Sequence, residues 1–246
     1  VTQSGIIVTH LGFRADDPDY PPMDVLQMAL GGGFQSRMVN EIRSKRGLAY
    51  ATGAGAGEGY QRPGLFIAYS LTMSESTLTA LRLVRDEVRK VTEAPFTAEE
   101  LKTAKESVQN TFVFNFEQPS SVLFRAAFYE MVGYPQDFLQ RYQQGLEAVT
   151  AESVLEAAKR KVHPDQMVAV VVGKEKDFDG PLTAAGLPVE RKDIAIPPPP
   201  SKLAVGEASA EALAKGQSWL RKAADLAGGS AAWGAIKTVS IEQEGT

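Results

Sequence analysis

The sequence predicts an α+β domain, a mainly antiparallel sheet with helices packed on one face, and three observations carry that prediction. Residues 5–13 (GIIVTHLGF) are rich in β-formers, and two further β-runs, 48–57 and 64–72, follow each other closely. A block of amphipathic helical segments then occupies residues 74–162. An apolar run, QMVAVVVG at 166–173, comes after it. Strands and helices segregated in this way imply layers built from an antiparallel sheet and a helical cover, not alternating βαβ units.

The first strand, residues 5–13, is closed by the turn chemistry of Asp16, Asp17 and Pro18. A helix follows over 20–30, where Met23, Leu26, Gln27 and Leu30 recur at helical spacing and Pro21 or Pro22 suits the first turn, which needs no amide donor. Gly31, Gly32 and Gly33 are read as the end of that helix. They are no phosphate cradle, because the Gly-Lys-Ser/Thr step of a P-loop is missing. A second, short helix starts near Gln35 and is stopped by Gly47, with Arg43 in its last turn and Arg43, Lys45 and Arg46 near its negative end. Tyr50 then opens the pair of β-runs, which are joined through EGYQRP as an antiparallel hairpin with a longer loop. Gly53, Gly55, Gly57 and Gly59 alternate along it and leave one face bare. That pattern admits another backbone at close range, from a substrate, a partner domain or this same domain.

In the helical block, Leu78, Leu81, Val84, Val88 and Val91 form one apolar stripe over 74–92. Thr97 and Glu100 have capping-box spacing, with Leu101, Ala104 and Val108 as the buried side of the helix they open. Three more helices are expected at 121–132, 136–146 and 151–162. The run 166–173 is apolar on both faces and reads as a central strand. From residue 180 the character changes: Pro181, Pro188 and the four prolines 197–200 mark a linker over 180–201. Its proline run is a polyproline spacer of roughly 12 Å. An alanine-rich helix at 208–226, stopped by Gly228 and Gly229, and a strand-like pattern at 235–246 lie beyond. The expected division is therefore 1–179, a linker 180–201, and the start of a further domain at 202–246. Val1 follows no initiator methionine, so the N-terminal edge is read as truncated and the chain as an excerpt of a longer polypeptide or a processed piece.

Composition excludes several functions. With 246 residues, 43% hydrophobic and 23% charged, the chain is of ordinary globular type, and no apolar run approaches the roughly 20 residues of a spanning helix. A net charge of −4 without a basic stripe argues against nucleic acid as the partner. The absence of cysteine removes disulfides, thiol nucleophiles and thiolate metal sites. Only His10 and His163 carry imidazoles, far apart in sequence and outside any His-x-x-Glu-His pattern, so this chain alone is not expected to bind a metal. His10 is placed on a strand face and His163 at a helix end before Pro164.

The run of residues 31–50, GGGFQSRMVNEIRSKRGLAY, carries the chemistry. It brings the guanidinium fork of Arg43 and the phenol of Tyr50 to a helix-to-strand corner, and both can donate to carbonyl oxygens, which suits a peptide backbone as ligand. By residue type alone, a solvated arginine and a sheet-filling tyrosine is the commoner arrangement. LGGGFQSR followed by EIRSKRGLAY, however, resembles the second-domain motif of the pitrilysin or insulinase-like zinc metallopeptidases, which include the mitochondrial processing peptidases and their inactive core-protein relatives. The resemblance covers residues 5–173.

That resemblance implies the same α+β fold, in the metal-free half of a two-half peptidase. It implies that Arg43 and Tyr50 bind substrate, with Tyr50 also catalytic as a donor to the developing oxyanion, while Arg37 and Arg46 are weaker candidates. Arg46 lies close to Arg43 by helical rotation, so an exchange of roles stays open. The cofactor implied is zinc in the partner half only. The partners are a zinc-bearing homologous half, on the same polypeptide or a separate subunit, and a peptide substrate enclosed between the halves. This chain alone is not expected to be active. A proteolytically inactive structural subunit and a peptide-binding module are the alternatives. Residues 202–246 resemble the opening of lipoprotein-sorting-type periplasmic domains, which implies a periplasmic or envelope location in a bacterium.

Overall fold

Strand β1 (Gln3–Leu11) alternates buried and exposed positions, with Ser4, Ile6, Val8 and His10 facing inward. It pairs antiparallel with β3 (Leu65–Met73) on one side and with β4 (Val168–Val172) on the other. β2 (Ala49–Ala56) pairs antiparallel with β3, so the sheet has the order β2-β3-β1-β4. This is a computed structural model, and it describes residues 2–57, 59–193, 209–229 and 234–235, apart from the side chain of Asn115.

Six helices follow the sequence periodicities closely. They are α1 (Tyr20–Gln27), α2 (Thr77–Glu93), α3 (Ala98–Val113), α4 (Pro119–Met131), α5 (Phe138–Glu147) and α6 (Ala151–Lys161). α1 begins with its prolines in the first turn. The capping box at α3 is complete: Thr97 Oγ1 accepts from the Glu100 N–H, and the Glu100 carboxylate accepts from the Thr97 N–H. α2 is capped from far along the chain, with the Asp179 carboxylate accepting from the Leu78 N–H at 2.6 Å and the Thr79 N–H at 3.0 Å. The stripe of Leu81, Val84 and Val88 joins Ile6, Val8, Phe66, Leu26, Leu30, Leu146 and Ala157 in one core between the sheet and the helices. The fold is thus α+β, with an antiparallel sheet covered by helices on one face.

Three expectations are refined. First, the helical run read over 20–30 does end at the glycines, but α1 widens into π-helical turns over Met28–Gly32 before Gly33 becomes extended. Gly31 lies against β2, where an added Cβ would stand 1.9 Å from the Ala54 nitrogen. Second, the run 166–173 is not central: β4 is an edge strand, and its outward Val168, Val170 and Val172 are exposed. Third, His10 and His163 are neighbours, with ring centroids 5.4 Å apart, because the end of α6 returns to the end of β1. The bare face of the hairpin is met by this same domain: a Cβ on Gly53 would sit 2.8 Å from the Gly31 carbonyl oxygen.

The chain forms two compact units, residues 1–190 and 191–246. In the second, α7 (Ala210–Leu226) is capped by Ser209, whose Oγ accepts from the Ala212 N–H, and all its side chains are exposed. Gly228 and Gly229, with φ of 97° and 70°, follow it. The proline run 197–200 and nearly all of the strand-like pattern 235–246 lie outside the described residues.

Candidate functional site

The corner at residues 31–50 is built on buried anchors. Met38, Val39 and Ile42 fix the inner side of a short helix that begins at Arg37, two residues later than expected, and continues as π-helical turns over Val39–Ser44. With those positions inside, Arg43 falls on the outer surface in the last turn. The turn is closed by bonds from the Gly47 N–H to the Arg43 carbonyl and from the Leu48 N–H to the Ile42 carbonyl, both 3.0 Å. Gly47 takes φ of 64°, the left-handed conformation that glycine adopts without penalty.

β2 starts two residues after Gly47. Ala49 faces Thr72 and Ala51 faces Leu71, adjacent residues on β3, so Tyr50 is an extra residue without a cross-strand partner: a β-bulge. Its side chain is 77% exposed. Nothing in the alternation AYATGAGA announces the bulge. Along the rest of β2 the free edge is partly covered, since Gln27 Oε1 accepts from the Ala56 N–H at 2.5 Å and Gly31 lies against Gly53 and Ala54.

The three arginines of the run have separate fates. Arg37 donates two bonds to the Glu100 carboxylate, at 2.5 and 2.8 Å, and its guanidinium lies 4.1 Å from the Phe96 ring centroid. That guanidinium holds the Glu100 carboxyl at about 2, well below its ordinary 4.5, because an ionised Glu100 accepts from Arg37 and from the Thr97 N–H. Arg46 donates to Glu41 at 3.0 Å and Lys45 donates to the same carboxylate at 2.9 Å, which lowers the Glu41 pKa. Arg43 forms no ion pair or side-chain hydrogen bond among the described residues and lies 5.5 Å from the ring centroid of Phe34, itself 79% exposed. The Glu41–Lys45 pair was legible as an i,i+4 spacing. The Arg37–Glu100 pair, 63 residues apart, had no local signal.

The two imidazoles do not make a metal centre. His10 donates from Nδ1 to the Leu11 carbonyl at 2.7 Å, while Nε2 accepts from the His163 N–H at 3.3 Å, so both ring nitrogens are engaged in the neutral form. The ring stacks on Phe66 at 5.0 Å, and burial pushes its pKa below the ordinary value. No group of three His, Cys, Asp or Glu side chains is placed to hold a metal ion among the described residues.

A four-stranded antiparallel sheet with helices on one face is the fold of a metallopeptidase-type half-domain. Residues 1–108 match the family described as the peptidase M16 inactive domain. The resemblance to the pitrilysin and insulinase-like group is thereby borne out. An uncharacterized zinc protease of Streptomyces coelicolor is 30% identical over 175 residues, covering 71% of this chain and 38% of the relative. A non-peptidase homolog, YmxG of Helicobacter pylori, is 27% identical over 180 residues, or 72% of this chain and 41% of the relative. The crystal structure of the peptidase M16 inactive domain from Pseudomonas fluorescens superposes with a TM-score of 0.64 at 27% identity, covering 70% of this chain and 41% of that one. The chain spans about two fifths of the length of these relatives. No helix among the described residues is long and apolar enough to cross a membrane.

Proposed function

We propose that the domain is the substrate-holding, metal-free half of a zinc peptidase that encloses peptides between two halves. The observation that carries this reading is the unengaged pair at the corner. Of three arginines in the motif, two are held by carboxylates and Arg43 is not, while the bulge at Tyr50 turns a phenol outward on the adjoining strand. Two neutral-pH donors without internal partners suit the carbonyl oxygens of an extended peptide.

Zinc held by the other half would supply the Lewis acid and the activated water. On this side, Arg43 fixes the register of the peptide by donating to a main-chain carbonyl. Tyr50 donates to the oxygen on which negative charge builds. Substituting Arg43→Ala or Tyr50→Phe in the assembled two-half enzyme tests this by peptide cleavage. Loss of one oxyanion donor lowers kcat about 100-fold or more, and that is the result expected for Tyr50→Phe. Unchanged kcat/KM in both variants removes the assignment.

A second reading, a structural subunit without proteolytic activity, is favoured by the similarity to the H. pylori non-peptidase homolog. It predicts no cleavage by the assembly and no effect of either substitution on binding of the partner half. Within either reading, residues 1–179 form the half-domain, and the envelope location rests on the lipoprotein-sorting-like resemblance of 202–246 alone.

A further inference from the structure

A cavity of about 280 Å³ lies between the segment 28–36 and α3, with Met28, Phe34 and Ser36 contributed by the first and Thr103 and Ser107 by the second. The Arg37–Glu100 ion pair ties these two walls together, one residue beyond Ser36 and about one turn before Thr103, so the fold itself sets their spacing. The Arg43 guanidinium lies 5.5 Å from the centroid of the Phe34 ring, so the cavity and the corner share a wall. Ser36 is 4% exposed, and its hydroxyl, closed to bulk water, makes no hydrogen bond among the described residues. Both backbone groups of Ser36 are engaged, the N–H with the Gly33 carbonyl and the carbonyl with the Asn40 N–H, each at 3.0 Å. A serine immediately before a helix ordinarily caps it, and this one precedes the helix at Arg37 without doing so. A hydroxyl buried without a partner is costly, and a ligand that supplies the missing bond removes that cost. No residue lining the cavity is charged.

We propose that this cavity is a specificity subsite that receives one side chain of the enclosed peptide, a neutral polar one: serine, threonine, asparagine or glutamine. The proposal rests on the substrate-holding reading above and adds to it a choice among peptides. With Arg43 donating to a main-chain carbonyl, a neighbouring side chain of an extended peptide passes Phe34 and enters the cavity. A turn of Ser36 about its Cα–Cβ bond then lets the hydroxyl donate to that side chain or accept from it. Carboxylates and ammonium groups are rejected, because no lining group carries the opposite charge. An aliphatic side chain enters but leaves Ser36 unpaired, and that difference is the basis of discrimination.

The test gives the assembled two-half enzyme an equimolar library of unstructured decapeptides and reads the cleaved sites by mass spectrometry. At one position relative to the cut, the four neutral polar residues are expected to be favoured about tenfold over alanine, valine and glutamate. Ser36→Ala removes only the unpartnered hydroxyl, so the domain folds as before. In that variant the preference for polar residues over alanine at this position is lost, and the profile at every other position stays unchanged. Ser107→Leu, on the opposite wall, narrows the cavity and removes acceptance of glutamine at the same position. A native profile without such a position, or a Ser36→Ala profile identical to the native one, overturns the subsite. If Arg43→Ala and Tyr50→Phe still lower kcat in that case, the substrate-holding reading stands without it. A uniform loss of rate with an unchanged profile gives Ser36 a purely structural role and likewise overturns the subsite. An assembly that cleaves no peptide of the library removes both readings together.

Discussion

Within one run of 20 residues, Gly31 and Arg37 are absorbed by the fold while Arg43 and Tyr50 are not. Gly31 has no room for a single added carbon, and Arg37 is locked between a carboxylate and an aromatic ring. Arg43 and Tyr50 are exposed and make no side-chain hydrogen bond among the described residues. The difference teaches how to divide a family motif: residues that maintain the architecture are recognised by what they touch, and candidates for function by donors left without a partner.

The sharpest way to break the comparison is at Gly31. Gly31→Ala drives a Cβ into the β2 backbone, 1.9 Å from the Ala54 nitrogen, which cannot move aside without disturbing the sheet. A loss of about 3 kcal/mol or more is expected, measured as a lowered urea midpoint.

The next effect belongs to Arg37 and Glu100. Glu100 has its pKa depressed in the folded protein from 4.5 to about 2, so its contribution is fully present above the unfolded value and is lost as pH falls toward about 2. Linkage bounds that contribution at about 3 kcal/mol. In Arg37→Ala the fall in stability between pH 6 and pH 3 becomes shallower, because less of the carboxylate stabilisation remains to be lost. Urea unfolding at several pH values measures it, and an unchanged slope would show that the pair does not govern acid stability.

The smallest effect is expected at Arg43 and Tyr50. Arg43→Ala and Tyr50→Phe shift stability by no more than about 0.5 kcal/mol, the range of surface substitutions away from structural features. A larger loss in either variant would place that residue with Gly31 and Arg37, among those the fold requires.

Much of the architecture was legible because it is local. The α2 stripe, the Thr97–Glu100 box and the stop at Gly47 each depend on residues a few positions apart. What escaped is non-local. The pairing of Arg37 with Glu100, the approach of His163 to His10, and Asp179 capping α2 from 100 residues away follow from packing that no window reveals. The apolar run at 166–173 was misread for a related reason: two-sided apolarity marks a strand covered on both faces, and β4 instead turns one of its apolar faces outward at a sheet edge. At the corner, the sequence named Arg43 and Tyr50, yet neither the bulge nor the Phe34 neighbour has a signature in the one-letter pattern.

A residue with no partner across the ladder is released from the cross-strand packing that restricts its neighbours. Position 50 is therefore cheap to vary as far as the sheet is concerned. Under the proposed function, a lineage that keeps the scaffold and abandons peptide chemistry would leave this position free to drift while Gly31 stays fixed.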